Sequence, residues 1–501
     1  MLHDGRGKFA RYVPIMPALM VVGCTSNAGK SLLVTALCGW LAQQGYRVAP
    51  FKGQNMALNA YVTADGGEMG YAQAVQAWAA DIVPTTAMNP ILLKPQGDMT
   101  SQVIIRGRAV GVTRAADYYQ NYFEQGWQAI TEALAALQRE YDYIVCEGAG
   151  SPAEINLKHR DLTNMRVAKY LQAKTILVGD INPGGVFAHI IGTLALLEPE
   201  ERALIKGLII NKFRGQLSIL QSGLDWLENT TGISVLGVIP WLESALPAED
   251  SLSLFTRQKN HADLQIGIIH LPKMSNSTDF DPLIFEPTVQ VHYIHSEQDF
   301  GTPDAVMIPG SKTTLLDLDW LHKIGLAERL KTYYQKGGWV LGICGGMQML
   351  GMDVCDPDRL ESDLTQGQGL GLLPIKTTIT GAKITQQREV LSVAPIPNLM
   401  VRGYEIHQGF TQVIGEINPL LTDPHLGYVD GTGRIWGTYL HGIWENGAWR
   451  RAWLNQLRSR RGLAPLSLNV PDFPHQRRQM LQNLTQTVAE CIPWGQFLRD
   501  S

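Results

Sequence analysis

Met20-Val-Val-Gly-Cys-Thr-Ser-Asn-Ala-Gly-Lys-Ser31 is the stretch on which the reading of this chain turns. The apolar run from Ala18 to Val22 predicts a buried strand, Gly23 to Gly29 a tight loop, and Lys30 onward a helix. A phosphate-binding loop needs that context. Backbone N–H groups and a helix N-terminus face the anion, a lysine reaches the outer phosphates, and the adjoining hydroxyl can ligate Mg2+. Gly29, Lys30 and Ser31 supply those parts, so ATP with Mg2+ is the expected ligand. The spacing is a variant, with five residues rather than four between Gly23 and Gly29.

Outward from that loop, short apolar runs alternate with amphipathic helical patterns, the signature of βαβ units and a mainly parallel sheet. Strands are expected at 18–22, 46–51, 142–146, 174–179, 206–210 and 234–239, with helices over 30–44 and 115–140. Gly45 is placed to cap the first helix. The polar stretch 243–263 has weak periodicity and marks a boundary. A second αβ alternation begins at Leu264-Gln-Ile-Gly-Ile-Ile269 and continues through 304–308 and 338–343. The expected fold is therefore α/β: a parallel-sheet P-loop domain at 18–245, a linker at 246–263, a second α/β domain at 264–455, and a peripheral helical segment at 456–501. Residues 1–17 are read as an extension without fixed structure.

Composition bounds the function. Of 501 residues, 45% are hydrophobic and 18% charged, ordinary values for a soluble globular chain of two or three domains. A net charge of −4 gives no footprint for nucleic acid or an anionic membrane. No apolar run approaches the ~20 residues of a membrane helix, and Met1 to Pro17 lacks the apolar core of a secretory signal. The six cysteines are scattered without a Cys-x-x-Cys pair, which argues against zinc or a disulfide framework and suits a reducing cytoplasm. Oligomeric state is left open.

Parallel sheets bind ligands at the carboxyl ends of their strands. Lys52, Glu147, Asp180, and the pair Asn211 and Lys212 each follow an expected strand. Glu147 there can hold Mg2+ directly or through water. Two stretches, Gln54 to Glu68 and Asn89 to Ser101, are dense in amides, hydroxyls and glycine, the composition of binding loops. With these, Lys52, Asn55, Lys94 and Asp180 are the candidate substrate contacts.

In the second half, Gly338-Trp-Val-Leu-Gly-Ile-Cys344-Gly-Gly-Met-Gln348 reads as strand, sharp turn and helix. Gly-x-Cys-Gly-Gly is the thiol form of a nucleophile elbow, in which small residues permit the strained turn and the helix N-terminus favours the thiolate. A thiol nucleophile needs a base, and His441 follows a strand-like run downstream. His407 is read as structural or as lining the same site.

The P-loop variant, Thr63-Ala-Asp-Gly-Gly-Glu68 followed by Ala72-Gln-Ala-Val-Gln-Ala77, and Leu93-Lys-Pro-Gln-Gly-Asp98 together resemble the cobyric acid synthase family. The P-loop and Asn211 are shared with the wider dethiobiotin-synthetase-like ATPases. The resemblance covers nearly the whole chain from about residue 17. It implies a glutamine-dependent amidase of cobalamin biosynthesis that activates a corrinoid carboxylate as an acyl phosphate. The substrate it implies is adenosylcobyrinic acid a,c-diamide, with four carboxylates (b, d, e and g) amidated to adenosylcobyric acid. It implies Mg2+ near Ser31, Asp65 and Glu147, and adenine against Asn211. Cys344 and His441 in this order resemble class I glutamine amidotransferases, which implies an oxyanion hole from Pro309-Gly310-Ser-Lys-Thr313 and the N–H of Gly345. Most such domains carry a Glu two residues after the histidine. Here that position is Ile443, as in the cobyric acid synthase type, and Glu445 is not promoted in its place. The rivals are cobyrinic acid a,c-diamide synthase, which lacks the Asp65 and Asp98 segments in this form, and a partitioning-type P-loop switch ATPase. The second usually carries an extra lysine early in the loop, and residues 24–28 contain none.

Overall fold

The alternation of the first half builds one six-stranded sheet. In the computed structural model, which describes residues 17–96, 99–242, 259 and 261–499, its order is Val235–Pro240, Ile205–Phe213, Lys174–Asp180, Ala18–Gly23, Tyr143–Glu147, Val48–Phe51. Every pairing is parallel. Ala18–Gly23 is buried along its whole length because helices cover both faces of the sheet. The helices Lys30–Gln43 and Ala115–Glu140 stand where expected, and Gly45 takes a φ of 88° just past the first. The expected extension at 1–17, apart from Pro17, and most of the expected linker at 246–263 lie outside the described residues.

Much of the two amide-rich stretches is strand rather than loop. Gln54–Met56, Ile91–Pro95, Thr100–Ile105 and Arg108–Arg114 form a four-stranded sheet, and Ala60–Val62 pairs with Glu68–Gly70 in a hairpin. Leu92 and Ile104 drive this, burying one face together with Ala57, Ala60 and Val62 against Tyr404 and Ile406 of the second domain. Their buried polar residues find partners there, Asn59 accepting the Ser277 N–H at 2.9 Å and Glu68 pairing with Lys94 at 2.8 Å.

The second domain has a seven-stranded sheet in the order Val289–Ile294, Leu264–Ile269, Ala305–Ile308, Val340–Ile343, Ile435–Thr438, Gly427–Val429, Asn418–Pro419. The first five strands are parallel and the last two pairings antiparallel. A long antiparallel hairpin, Ile375–Leu391 with Met400–Val413, reaches the first domain. There Lys383 meets Glu68 and Gln387 donates to the Val62 carbonyl.

The segment expected to be peripheral is not. Helix Phe473–Cys491 returns to the first domain and packs along Lys30–Gln43, where Leu484, Val488, Ile492, Trp494 and Phe497 join the core with Leu33, Leu37 and Val145. Polar residues outnumber apolar ones along it, which hid a stripe that is buried only on one side. The contact is close enough that a Cβ on Gly39 would lie 2.3 Å from the Thr485 hydroxyl. Arg477 ties the same helix to both domains, pairing with Glu445 at 2.7 Å and lying over the Trp78 ring.

Candidate active sites

The loop after Ala18–Gly23 is built to hold an anion. Gly29 has a φ of 101°, and a Cβ there would lie 1.9 Å from Asn211 Nδ2. That nitrogen donates to the Ala28 carbonyl at 2.8 Å, so Asn211 braces the loop from the neighbouring strand. Lys212 braces it too, donating to the Asn27 carbonyl and pairing with Asp180 at 2.7 Å. Lys30 Nζ rests on the carbonyls of Thr25 (3.1 Å) and Gly150 (3.0 Å), two weak partners that a phosphate can replace. Ser31 donates to Glu147 at 2.9 Å, and Lys52 pairs with the same carboxylate at 2.7 Å. Gln76 also donates to Glu147. A hydroxyl and a carboxylate side by side beneath a P-loop are the donors that Mg2+ takes, so these residues fit the ion.

Of the other expected contacts, Asn55 is buried on Gln73 (3.0 Å). Asp65 is held inside its own turn by Thr63, with Gly66 against the Thr385 backbone of the second domain. The turn therefore belongs to the domain contact, whereas Ser31 and Glu147 meet directly. Lys94 is displaced further. It pairs with buried Glu68 at 2.8 Å, Lys383 completes that triad, and Lys94 lines the cavity of Cys344.

Cys344 occupies the elbow, with φ 52° and ψ −113°, at the start of helix Gly345–Leu350. The turn needs its glycines: a Cβ on Gly346 would lie 2.1 Å from the Ile308 carbonyl oxygen. His441 is fully buried at the end of a short strand paired with Tyr404, whose ring stacks on it with centroids 5.2 Å apart. Its Nδ1 lies 2.7 Å from Asp279 Oδ2, and the other oxygen of Asp279 accepts the Gly442 N–H at 2.8 Å. Nδ1–H therefore donates to the carboxylate and Nε2 is left to face Cys344. Burial works against the imidazolium, but Asp279 and the Cys344 sulfur outweigh it and hold His441 up at about 10. Asp279 is the orienting acid that Ile443 cannot be. Glu445 is engaged elsewhere, on Arg477. Asp279 stands well beyond the strand Leu264–Ile269, in Lys273-Met-Ser-Asn-Ser-Thr-Asp279, too far past the strand end for the strand-end argument to reach it.

The strand Gly310–Ser311 crosses the elbow. A Cβ on Gly310 would lie 3.5 Å from His441 Cε1, and one on Gly345 2.9 Å from the Ser311 nitrogen. The two expected oxyanion donors are thus brought together beside Cys344. Gln348 fixes the wall by donating to Tyr439 Oη and the Gln408 carbonyl, both at 3.1 Å. His407 bonds Glu405 at 2.9 Å, stacks on Tyr439 and lines the cavity, so both readings given for it hold.

A braced P-loop on one sheet and a Cys–His–Asp elbow on the next define a glutamine-dependent amidoligase with separate nucleotide and thiol sites. Residues 19–253 match the CobQ/CobB/MinD/ParA nucleotide binding domain, and residues 265–449 the CobB/CobQ-like glutamine amidotransferase domain. The chain is 60% identical over 490 residues to a cobyric acid synthase from Nostoc sp., covering 96% of this chain and 99% of that protein. A cobyric acid synthase from Thermosynechococcus vestitus is 62% identical over 479 residues, 94% of this chain and 97% of its own length. A solved glutamine amidotransferase covers 39% of this chain and 98% of its own at 12% identity and a TM-score of 0.31. The chain belongs to the cobyric acid synthase family. It acts as an amidating enzyme of cobalamin biosynthesis.

Proposed function

We propose that the first domain spends ATP to activate the b, d, e and g carboxylates of adenosylcobyrinic acid a,c-diamide, and that the second supplies ammonia from glutamine, giving adenosylcobyric acid. The observation that carries this reading is the Cys344–His441–Asp279 line beside Gly310 and Gly345, on a domain interlocked with a braced P-loop. Cys344 attacks the glutamine amide, the tetrahedral oxyanion is met by the backbone N–H groups, and the His441 imidazolium protonates the departing ammonia. In the first domain Lys30 neutralises the outer phosphates of ATP, and Asn211 offers its carboxamide to adenine. Ser31 and Glu147 would hold Mg2+, to which the family resemblance adds Asp65, and the ion would supply charge neutralisation at the phosphates. Lys52 and Asp180 border the place where a carboxylate meets ATP. The composition and the lack of any helix long and apolar enough to cross a membrane among the described residues support work in the cytoplasm.

The test is mass spectrometry of the product after incubation with ATP, Mg2+ and the a,c-diamide. Four successive amidations are expected with glutamine. Cys344→Ala should lose them with glutamine and regain them with ammonium chloride at alkaline pH, whereas Lys30→Ala should lose them with both. A Cys344→Ala enzyme that still uses glutamine, or a product that stops two amides short, overturns the reading.

A further inference from the structure

The cavity over Cys344 contains charges that thioester chemistry does not use. Lys312, on the loop just after Ser311, is only 8% exposed and lines this cavity. Among the described residues, no carboxylate lies within ion-pair distance of its ammonium. The other two lysines of the cavity, Lys94 and Lys383, are both committed to Glu68. A buried cation without an anion is costly, and a site that keeps one is built for an anionic ligand. Glu361 lines the same cavity. Its carboxylate accepts the Thr314 N–H at 2.7 Å, and no cation lies within ion-pair reach of it among the described residues. Burial raises the Glu361 carboxyl and, with Lys383 and Lys94 nearby, lowers the Lys312 ammonium, both against the attraction each exerts on the other across the cavity. Neither group therefore closes an ion pair: each feels the other across one small space without a direct contact.

We propose that Lys312 and Glu361 are the readers of the α-carbon end of glutamine, Lys312 taking its α-carboxylate and Glu361 its α-ammonium. The assignment rests on Cys344 being the glutaminase nucleophile and goes beyond it by naming what selects an α-amino acid over other primary amides. The geometry is economical: Gly310, the expected oxyanion donor, and Lys312 are two positions apart on the same loop. One short loop therefore addresses both ends of the substrate, its γ-carbonyl and its α-carboxylate. A zwitterion between Lys312 and Glu361 gives each its missing partner at once, and a plain amide gives neither.

The experiment pairs residue deletions with substrate deletions in the full-length enzyme, reading ammonia release. The amides are glutamine, 4-aminobutanamide (no α-carboxylate) and glutaric acid monoamide (no α-amino group), each also tested as a competitive inhibitor. Lys312→Met should raise KM for glutamine by about 10- to 100-fold with little change in kcat, and should leave 4-aminobutanamide nearly unaffected. Glu361→Gln should do the same for glutamine while sparing glutaric acid monoamide. Lys312→Arg should retain most of the affinity that Lys312→Met loses. Ammonium-dependent synthesis should stay normal in all three. Equal losses for glutamine and the truncated amides, an unchanged KM, or a joint loss of ammonium-dependent synthesis overturns the proposal. If Cys344→Ala still releases ammonia from glutamine, it is the glutaminase reading that has failed rather than this assignment.

Discussion

Asp279 fixes the His441 tautomer from a different part of the domain, so the acid–base partner proposed for Cys344 is assembled by folding rather than by a local motif. Its two oxygens divide the work, one on the imidazole Nδ1–H and one on the Gly442 N–H. Asp279→Asn keeps the shape but removes the charge that raises the histidine. Glutamine-dependent ammonia release should fall by about 10²- to 10⁴-fold, with ammonium-dependent synthesis intact. The sign of the pH effect follows: without the carboxylate His441 loses its proton at lower pH, so the alkaline limb of the glutaminase profile should move down from about 10 towards the ordinary histidine range. A pH–rate profile of the two enzymes checks this, and an unmoved limb would mean that Asp279 does not govern the imidazole. Cys344 was legible in the sequence because an elbow permits so few residue types around it. Asp279 was not, because 162 positions separate it from His441 and nothing local marks the pair.

At the level of elements, the long hairpin Ile375–Leu391 and Met400–Val413 is what makes two domains into one working unit. Its Lys383 meets Glu68, the carboxylate that Lys94 approaches from the first domain; Glu68 and Lys94 are buried and the Lys383 side chain is 15% exposed. Burial alone would raise Glu68, but Lys383 and Lys94 outweigh it and bring the carboxyl down to about 2. A depressed carboxylate contributes its stability above the unfolded value near 4.5 and loses it as pH falls through about 2. Glu68→Gln strands two buried cations and should cost about 3–5 kcal/mol in urea unfolding near neutral pH. The gap between wild type and variant should narrow over that acid window. A gap that persists to the acid end would show that the triad is not its source. The regular strands of both sheets were readable because parallel strands buried on both faces are apolar throughout. The small sheet was misread because Asn55 is buried on Gln73 and Lys94 on Glu68, and composition cannot tell an internal polar contact from a wet loop.

The whole molecule is not two beads joined by a linker. Its last long helix, Phe473–Cys491, lies against the helix that carries Lys30, and Trp494 and Phe497 complete that core. Ending the chain near residue 465 should therefore damage the distant domain. Thermal unfolding followed by nucleotide binding should show loss of the ATP-binding half, while glutaminase activity, if the second domain stays folded, persists. Loss of glutaminase alone would contradict this. The stripe Leu481, Leu484, Val488 was present in the sequence, but its destination across the molecule was not, since amphipathicity reports that a face is covered and not what covers it. One consequence concerns synthesis on the ribosome. Translation runs from the N-terminus, and residues 473–499 emerge only after the second domain has been made. The ATP-binding core, begun first, is sealed last. An interrupted chain is therefore left with an ATP-binding core that lacks its closing helix, and a gene cut at the domain boundary would strand that helix on the wrong polypeptide.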